Sequence, residues 1–182
     1  LEASGKFSRT VYGLTNDAAR MINQLEWTRK QLEDQRKMLA AAKAEPSVSA
    51  SVEELERRVR AVQDRLMQPT LAEADLKSFR GAMGLYLKLL WLQAESGTGG
   101  GDVSGNADMG PTGAESEVFE LLSGQLATTR RDFDELYEKR IPEFNEAMRA
   151  KGLAGVMTVK EPLEPRPPRP EEPEDDDDWA AD

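Results

Sequence analysis

Residues 7–39 read FSRTVYGLTNDAARMINQLEWTRKQLEDQRKML, and the apolar side chains in this stretch recur at alternating spacings of four and three. This is the a/d pattern of helices that pack along a shared seam. The predicted seam positions are Phe7, Val11, Leu14, Ala18, Met21, Leu25, Thr28, Leu32, Gln35 and Leu39. Ile22 and Met38 widen the stripe, as packing inside a bundle requires. We therefore expect a long helix from about Lys6 to Ala44.

A second helix is predicted after a linker of Pro, Ser and Ala at Pro46–Ser51. Ser51 and Glu54 have the capping-box spacing, in which each side chain accepts a hydrogen bond from the backbone N–H of the other residue. The helix ends at Pro69, which cannot continue it. Its seam positions are Val52, Leu55, Val59, Val62 and Leu66.

The third predicted helix is the most apolar one. It begins at Thr70, which forms a second capping-box pattern with Glu73. Gly81 and Gly84 lie in its interior, where they indicate either the close approach of a neighbouring helix or local plasticity. Its seam consists of Leu76, Phe79, Met83, Tyr86 and Leu90, and further leucines lie on its other faces at positions 85, 87, 89 and 92.

A long Gly-rich loop, Ser96–Gly113, connects to a fourth helix at about Ala114–Lys151. Pro142 removes one backbone donor, so we expect a kink or break near Lys139–Ile141. Gly152 is the predicted C-cap. The fourth seam consists of Phe119, Leu122, Leu126, Thr129, Phe133, Leu136, Arg140 and Phe144.

The predicted fold is all-α: an antiparallel four-helix bundle over residues 1–160, followed by a disordered acidic tail over residues 161–182. The tail has ten acids and two arginines, which give it a net charge of −8 out of −10 for the whole chain. Its proline and acid content cannot bury apolar surface. The bundle itself is close to neutral, with no basic stripe, so nucleic acid is not an expected partner. No apolar run approaches the roughly 18–20 residues of a membrane span.

The chain contains no histidine and no cysteine. Zinc sites of the usual kind, Cys–His pairs and Ser–His–Asp triads are therefore excluded. Bundle di-metal sites require Glu-x-x-His motifs, and these are absent too. The acid clusters Glu53/Glu54 and Asp132/Asp134/Glu135 are interpreted as a solvated face. We predict no catalytic residue, no metal site and no cofactor in this chain.

Two other features of the sequence are candidate sites. Asp102, Asn106 and Asp108 offer oxygen ligands for calcium, but Gly113 stands where an EF-hand loop requires its closing glutamate. The loop has no Gly-Lys-Ser/Thr motif either, so a flexible connection is the favoured interpretation. The tryptophans have different interpretations: Trp91 in the core, Trp27 half-exposed or packed on a partner, and Trp179 a short binding motif or an accident of the terminus.

Three blocks of the sequence carry a family resemblance. They are LTNDAARMINQLEWTRKQLED at 14–34, RLMQP at 65–69, and ADMGPTGAESEVFELLSGQLATTRRDFDELYEKRIPEFNEAMRAKGLAGV at 107–156. Together they resemble the helical C-terminal domain of large bacterial β-propeller proteins with BNR/Asp-box or sortilin (Vps10)-like repeats, which are often labelled glycosyl hydrolase or sialidase-like. The resemblance covers about Phe7–Val156 and leaves the acidic tail outside.

The resemblance implies a secreted or cell-envelope parent protein, with this chain as a non-catalytic helical interaction module. The implied partner is another protein or the parent's own propeller. Two alternatives stay open: the C-terminal part of a glycosidase-like enzyme whose active site lies outside this chain, and a free-standing coiled-coil adaptor. The sequence does not determine the oligomeric state.

Overall fold

The structure, a computed structural model, describes residues 2–67, 84–98 and 111–158, and this part of the chain is helical without a strand. Four helical rods pack together, so the predicted all-α four-helix bundle is confirmed. The fourth rod is continuous from residue 113 to residue 150 and contains one π-helical turn. The elements are α1 (Glu2–Ala41), α2 (Pro46–Leu66), α3 (Leu85–Thr98), α4 (Gly113–Glu135), the π-helical turn (Leu136–Arg140) and α5 (Ile141–Ala150).

The two longest rods, α1 and α4–α5, run parallel. Contacts between them occur at residue numbers that increase along both helices in the same direction. The rings of Phe7 and Phe119 lie 5.3 Å apart, Arg130 pairs with Asp17 at 2.9 Å, and the hydroxyls of Thr28 and Tyr137 lie 2.9 Å apart.

The second helix runs antiparallel to α4–α5. Arg65 near its end pairs with Asp132 of α4, whereas Glu45 before its start accepts from Lys151 after α5 at 3.3 Å. The third helix starts beside the end of α2 and packs along α1 and α4. Gly84 is required at this junction, because a Cβ there would overlap the carbonyl group of Leu66. Of the two explanations for this glycine, the structure supports close approach.

The seam predicted for α1 forms the core. Eight of its ten positions are buried, and the other two, Phe7 and Leu14, pack against the buried cluster while partly exposed. All five seam residues predicted for α2 are buried as well. Met38 and Trp91, which we expected to be buried, are 63 % and 61 % exposed. Both lie outside the stripes that face a neighbouring helix.

The seams predicted for the third and fourth helices are each partly wrong. In α3, Leu85, Leu89 and Leu92 are buried, whereas the predicted seam residues Tyr86 and Leu90 are only partly buried. In the fourth rod, Ile141 is buried in place of Arg140, because the π-helical turn inserts one residue.

The predicted linker at Pro46–Ser51 is helical. Pro46 occupies the first turn of α2, where its missing N–H removes no helical hydrogen bond. Ser51 therefore lies inside the helix and donates to the carbonyl of Ser47 at 2.9 Å. Glu54 pairs instead with Arg57 and Arg58 at 2.5 and 2.7 Å. The capping box expected at Ser51 is absent.

The start of the predicted third helix, with Thr70, Glu73 and Gly81, lies outside the described residues. Within the predicted loop, Ser96 belongs to α3, and residues 99–110 also lie outside the described part. A capping box that sequence analysis overlooked begins α4. Thr112 accepts from the backbone of Glu115 at 3.2 Å, and the Glu115 carboxylate accepts from the backbone of Thr112 at 2.6 Å.

Near Lys139–Ile141, where we expect a kink or break, the helix does not break but has an irregular turn. It is a π-helical turn, in which Ile141 donates its N–H to the carbonyl of Leu136, five residues earlier. Pro142 then occupies the first turn of α5, where no helical donor is needed. The rod stays continuous and inserts one extra residue at this point.

Candidate functional site

The chain reverses direction at the end of α5. Gly152 has φ +70° and donates to the carbonyl of Arg149 at 2.9 Å, while Leu153 donates to that of Met148 at 3.0 Å. This is the Schellman motif, and it confirms the predicted cap at Gly152. The turn sends the following residues back between α5 and α1. We call residues 153–157 the strap.

Three side-chain amides hold the backbone of the strap. Asn145 of α5 donates to the carbonyl of Val156 at 2.8 Å and accepts from its N–H at 2.6 Å. Gln31 of α1 likewise donates to the carbonyl of Met157 at 3.0 Å and accepts from its N–H at 2.8 Å. Gln35 donates to the carbonyls of residues 154 and 155 at 3.1 and 3.2 Å. We call Gln31, Gln35 and Asn145 the amide clamp.

Residues 156 and 157 of the strap are extended in the groove between α1 and α5. Val156 presents its N–H and carbonyl to α5, and the next residue, Met157, presents its own to α1. Opposite orientation of successive backbone groups is the property of an extended strand. The clamp therefore replaces the neighbouring strand that a sheet would supply.

The clamp also restricts which side chains fit. The Val156 side chain is buried, with 3 % of the residue exposed. Gly155 packs directly on Asn145, because a Cβ at this position would overlap the side-chain amide of Asn145. Met157 is 73 % exposed. The groove thus accepts a glycine followed by an aliphatic residue and leaves the third position open.

A cavity of about 490 Å³ lies beside Met157. Trp27 projects into it and is 56 % exposed, as one of the two predictions for this residue expected. Thr28 and Tyr137, whose hydroxyls are hydrogen-bonded to each other, line the cavity wall. The lining residues are Asn23, Gln24, Glu26, Trp27, Thr28, Lys30, Gln31, Asp34, Tyr137 and Met157.

The phenol of Tyr137 is a largely buried titratable group at this site. Burial raises the pKa of Tyr137 to about 12, and the hydrogen bond with Thr28 lowers it by a smaller amount. Its ring stacks on Phe133 with a centroid distance of 4.3 Å. At neutral pH this phenol is therefore protonated, so it can form hydrogen bonds but does not act as a base.

Three acids of the two clusters, Glu54, Asp132 and Glu135, pair with arginine. Asp132 pairs with Arg65, and Glu135 pairs with Arg140 at 2.9 Å. Within the residues that the structure describes, no group of three or more Asp or Glu side chains could hold a metal ion. The calcium candidates Asp102, Asn106 and Asp108 lie outside these residues, as does Trp179.

Sequence analysis missed the amide clamp. One signal was present: Gln35 occupies a seam position, where an apolar residue is expected and a polar one needs a partner. Its partner is a backbone 119 residues away in sequence, which no local pattern reveals. Asn145 and the glycines after α5 gave no periodic signal at all.

Comparison of this chain with protein-family models, with curated proteins and with solved structures found no match. None of the helices in the described ranges is both long and apolar enough to cross a membrane.

Proposed function

We propose that this chain is a non-catalytic helical interaction and structural module that holds an extended polypeptide segment against its helices. The observation that supports this function is the amide clamp. Three side chains from two helices make six hydrogen bonds to the backbone of residues 154–157. Recognition of main-chain groups together with one buried side chain is the way in which extended peptides are bound.

The surroundings of the groove favour binding over catalysis. Hydrolysis of a glycoside needs two carboxyl groups facing one another across the sugar. The two acids that line the cavity, Glu26 and Asp34, both come from α1. Acid–base catalysis at neutral pH also favours a group whose pKa lies near the working pH, and the pKa of Tyr137 is far above that range.

We place the module in a secreted or cell-envelope β-propeller protein, on the resemblance of residues 14–34 and 107–156. In such a parent the clamp would fix residues 154–157 against α1 and α5. The coding DNA upstream of this segment tests the placement. Asp-box repeats there would support it, and an unrelated reading frame would remove it.

The holding role is tested with Asn145→Asp in the full chain. The aspartate keeps the shape of asparagine but loses the donor to the Val156 carbonyl and places a negative charge against it. We expect amide hydrogen exchange at Val156 and Met157 to become at least about ten-fold faster while the helical circular dichroism is unchanged. Asn16→Asp, on a part of α1 remote from the strap, is the matched control.

Unchanged exchange at Val156 in the Asn145 variant would contradict the holding role. Turnover of aryl-glycoside or sialoside reporters by the purified chain would contradict the non-catalytic assignment. A Glu26→Gln/Asp34→Asn double variant would show whether that turnover belongs to the cavity.

A further inference from the structure

The strap runs along α1 toward the start of that helix. Gln35 holds the carbonyls of residues 154–155, and Gln31, one turn earlier in α1, holds Met157. Four residues of a helix span roughly 6 Å, and two residues of an extended chain span roughly 7 Å. On this course the second residue after Met157 reaches the level of Trp27.

The cavity beside Met157 lies on the same course. Its lining extends along α1 from Asp34 back to Asn23, so it continues about two helical turns beyond Gln31. The exposed ring of Trp27 lies within this stretch. The described residues end at position 158, immediately after Met157. The residues that come next are therefore the part of the chain that is tethered closest to the cavity.

The sequence of these next residues suits an aromatic cavity. Residues 159–165 read VKEPLEP. Val159 and Leu163 supply apolar side chains, and the two prolines favour the polyproline II conformation. Segments of this kind dock in grooves lined by aromatic rings, and this cavity is lined by the rings of Trp27 and Tyr137.

The charges of the cavity and of this segment are complementary. Glu26 and Asp34, the acids of the cavity lining, each lie 3.9 Å from a base of α1. Lys30 is the one base among the described lining residues, and it has no ion pair within the described ranges. Residues 159–165 carry two glutamates and one lysine. They therefore bring a net negative charge to a wall with an unpaired lysine.

We infer that residues 159–165 continue the strap along α1 and cover Trp27, so that the cavity is a docking site for the chain's own segment. Val159 lies against the Trp27 ring, and Glu161 reaches the level of Asn23. This inference rests on the proposed function and lengthens the segment that the module holds. Composition alone predicts disorder from residue 161 onward, and the inference assigns the first five of those residues to the cavity.

The first test exploits the absence of cysteine from the full chain. Asn23→Cys with Glu161→Cys places one thiol on the cavity wall and one on the segment. The control, Asn16→Cys with Glu161→Cys, moves the first thiol seven residues along nearly the same face of α1. We expect the intramolecular disulfide to form at least about ten-fold faster in the Asn23 pair, because a held segment has a high effective concentration at the adjacent site.

The rates are normalised to the reaction of each single-cysteine variant with a small-molecule disulfide, which corrects for thiol reactivity. Equal normalised rates for the Asn23 and Asn16 pairs would overturn the inference.

The second test follows Trp27 in the full chain with Trp91→Phe and Trp179→Phe, where it is the only tryptophan. Val159→Asp with Pro162→Gly should raise its acrylamide quenching constant at least about 1.5-fold, because the ring loses an apolar cover. The helical circular dichroism should stay unchanged. Unchanged quenching in this variant would overturn the inference.

Pro173→Gly, in the acidic end of the chain, is the matched control for the proline and should leave the quenching of Trp27 unchanged. Hydrogen exchange at Val156 separates this inference from the proposed function. If Asn145→Asp accelerates that exchange but the Val159/Pro162 variant leaves Trp27 as protected as before, only the docking of residues 159–165 is overturned. Quenching that falls as the protein concentration rises would assign the cover to a second copy and would overturn it too.

Discussion

The two sides of the α1 seam pack by different physics. One side carries apolar residues, including Leu25 and Leu32, which are fully buried in the core. The other side carries the seam positions Thr28 and Gln35, with Gln31 beside them, and we call these three residues the polar edge. The polar edge meets Tyr137 and the strap through hydrogen bonds.

Apolar burial and hydrogen bonding make different contributions to this molecule. Burial of apolar surface is favourable whatever its exact partner, so a seam tolerates many neighbours. A hydrogen bond exchanges a bond to water for one to protein and contributes only about 0.5–1.5 kcal/mol net. An unpaired buried polar group costs more than that. The polar edge therefore selects a segment with matching backbone groups, and it adds less than the seam to the stability of the bundle.

The seam should show the largest effect. Leu25→Asp buries an unpaired carboxylate at a position with 0 % exposure, and we expect it to cost at least about 3 kcal/mol. Urea unfolding followed by circular dichroism measures this loss. Asn23→Asp adds the same carboxylate at an exposed position of α1 and should change stability by no more than about 0.5 kcal/mol. Similar results for both variants would mean that the seam side is placed wrongly.

The polar edge should respond more weakly. Tyr137→Phe removes the 2.9 Å hydrogen bond to Thr28 and should cost about 1 kcal/mol near neutral pH. Tyr12→Phe, at a residue that is 53 % exposed, is the matched control and should have no measurable effect. A loss at Tyr137 as large as that at Leu25 would remove the distinction between the two sides.

The stability difference between the unaltered chain and Tyr137→Phe should depend on pH. The pKa of Tyr137 is about 12 in the folded chain because burial disfavours the phenolate, compared with about 10 for an unfolded chain. Between these values the unfolded chain has lost a proton that the folded chain keeps, so the free energy of unfolding falls as the pH rises. The advantage of the unaltered chain over Tyr137→Phe should be constant below about pH 10 and shrink above it, by at most about 2.7 kcal/mol. A constant difference across this range would contradict the burial of the phenol.

Gly155→Ala addresses the strap alone. The added Cβ would overlap the Asn145 amide, so the strap should loosen at a cost of about 1 kcal/mol, with faster hydrogen exchange at Val156. Gly124→Ala is the matched control, because a Cβ there meets nothing. In the middle of α4 it should stabilise the chain by about 0.5–1 kcal/mol. A stabilising effect at both positions would show that Gly155 does not touch the clamp.

Sequence reasoning succeeded where the cause was local or periodic. The four-three spacing located the seam of α1, and Pro142 located the irregularity before α5, since both follow from helix geometry. It failed at Pro46, where the residue that usually stops a helix starts one instead. It also failed at the amide clamp, because Gln31 and Met157 are 126 residues apart in sequence. Such a contact depends on the complete packing of the bundle.

The smallest expected effect comes from the two turns that lead away from α1 and α5. Both are Schellman motifs with the same hydrogen bonds: Ala44 donates to the carbonyl of Leu39 at 3.0 Å, just as Leu153 donates to that of Met148. Gly152 holds the positive φ after α5, but Lys43 holds it after α1, with φ 51°. A residue with a side chain pays roughly 1–2 kcal/mol to adopt this conformation. Replacing it by glycine removes this cost, but part of the stabilisation is lost because glycine also raises the conformational entropy of the unfolded chain. Lys43→Gly should therefore stabilise the chain by about 0.5–1 kcal/mol in urea unfolding. Lys43→Ala removes the charge but keeps the strained conformation, so it should give no gain, and equal gains from both variants would attribute the effect to the lysine charge.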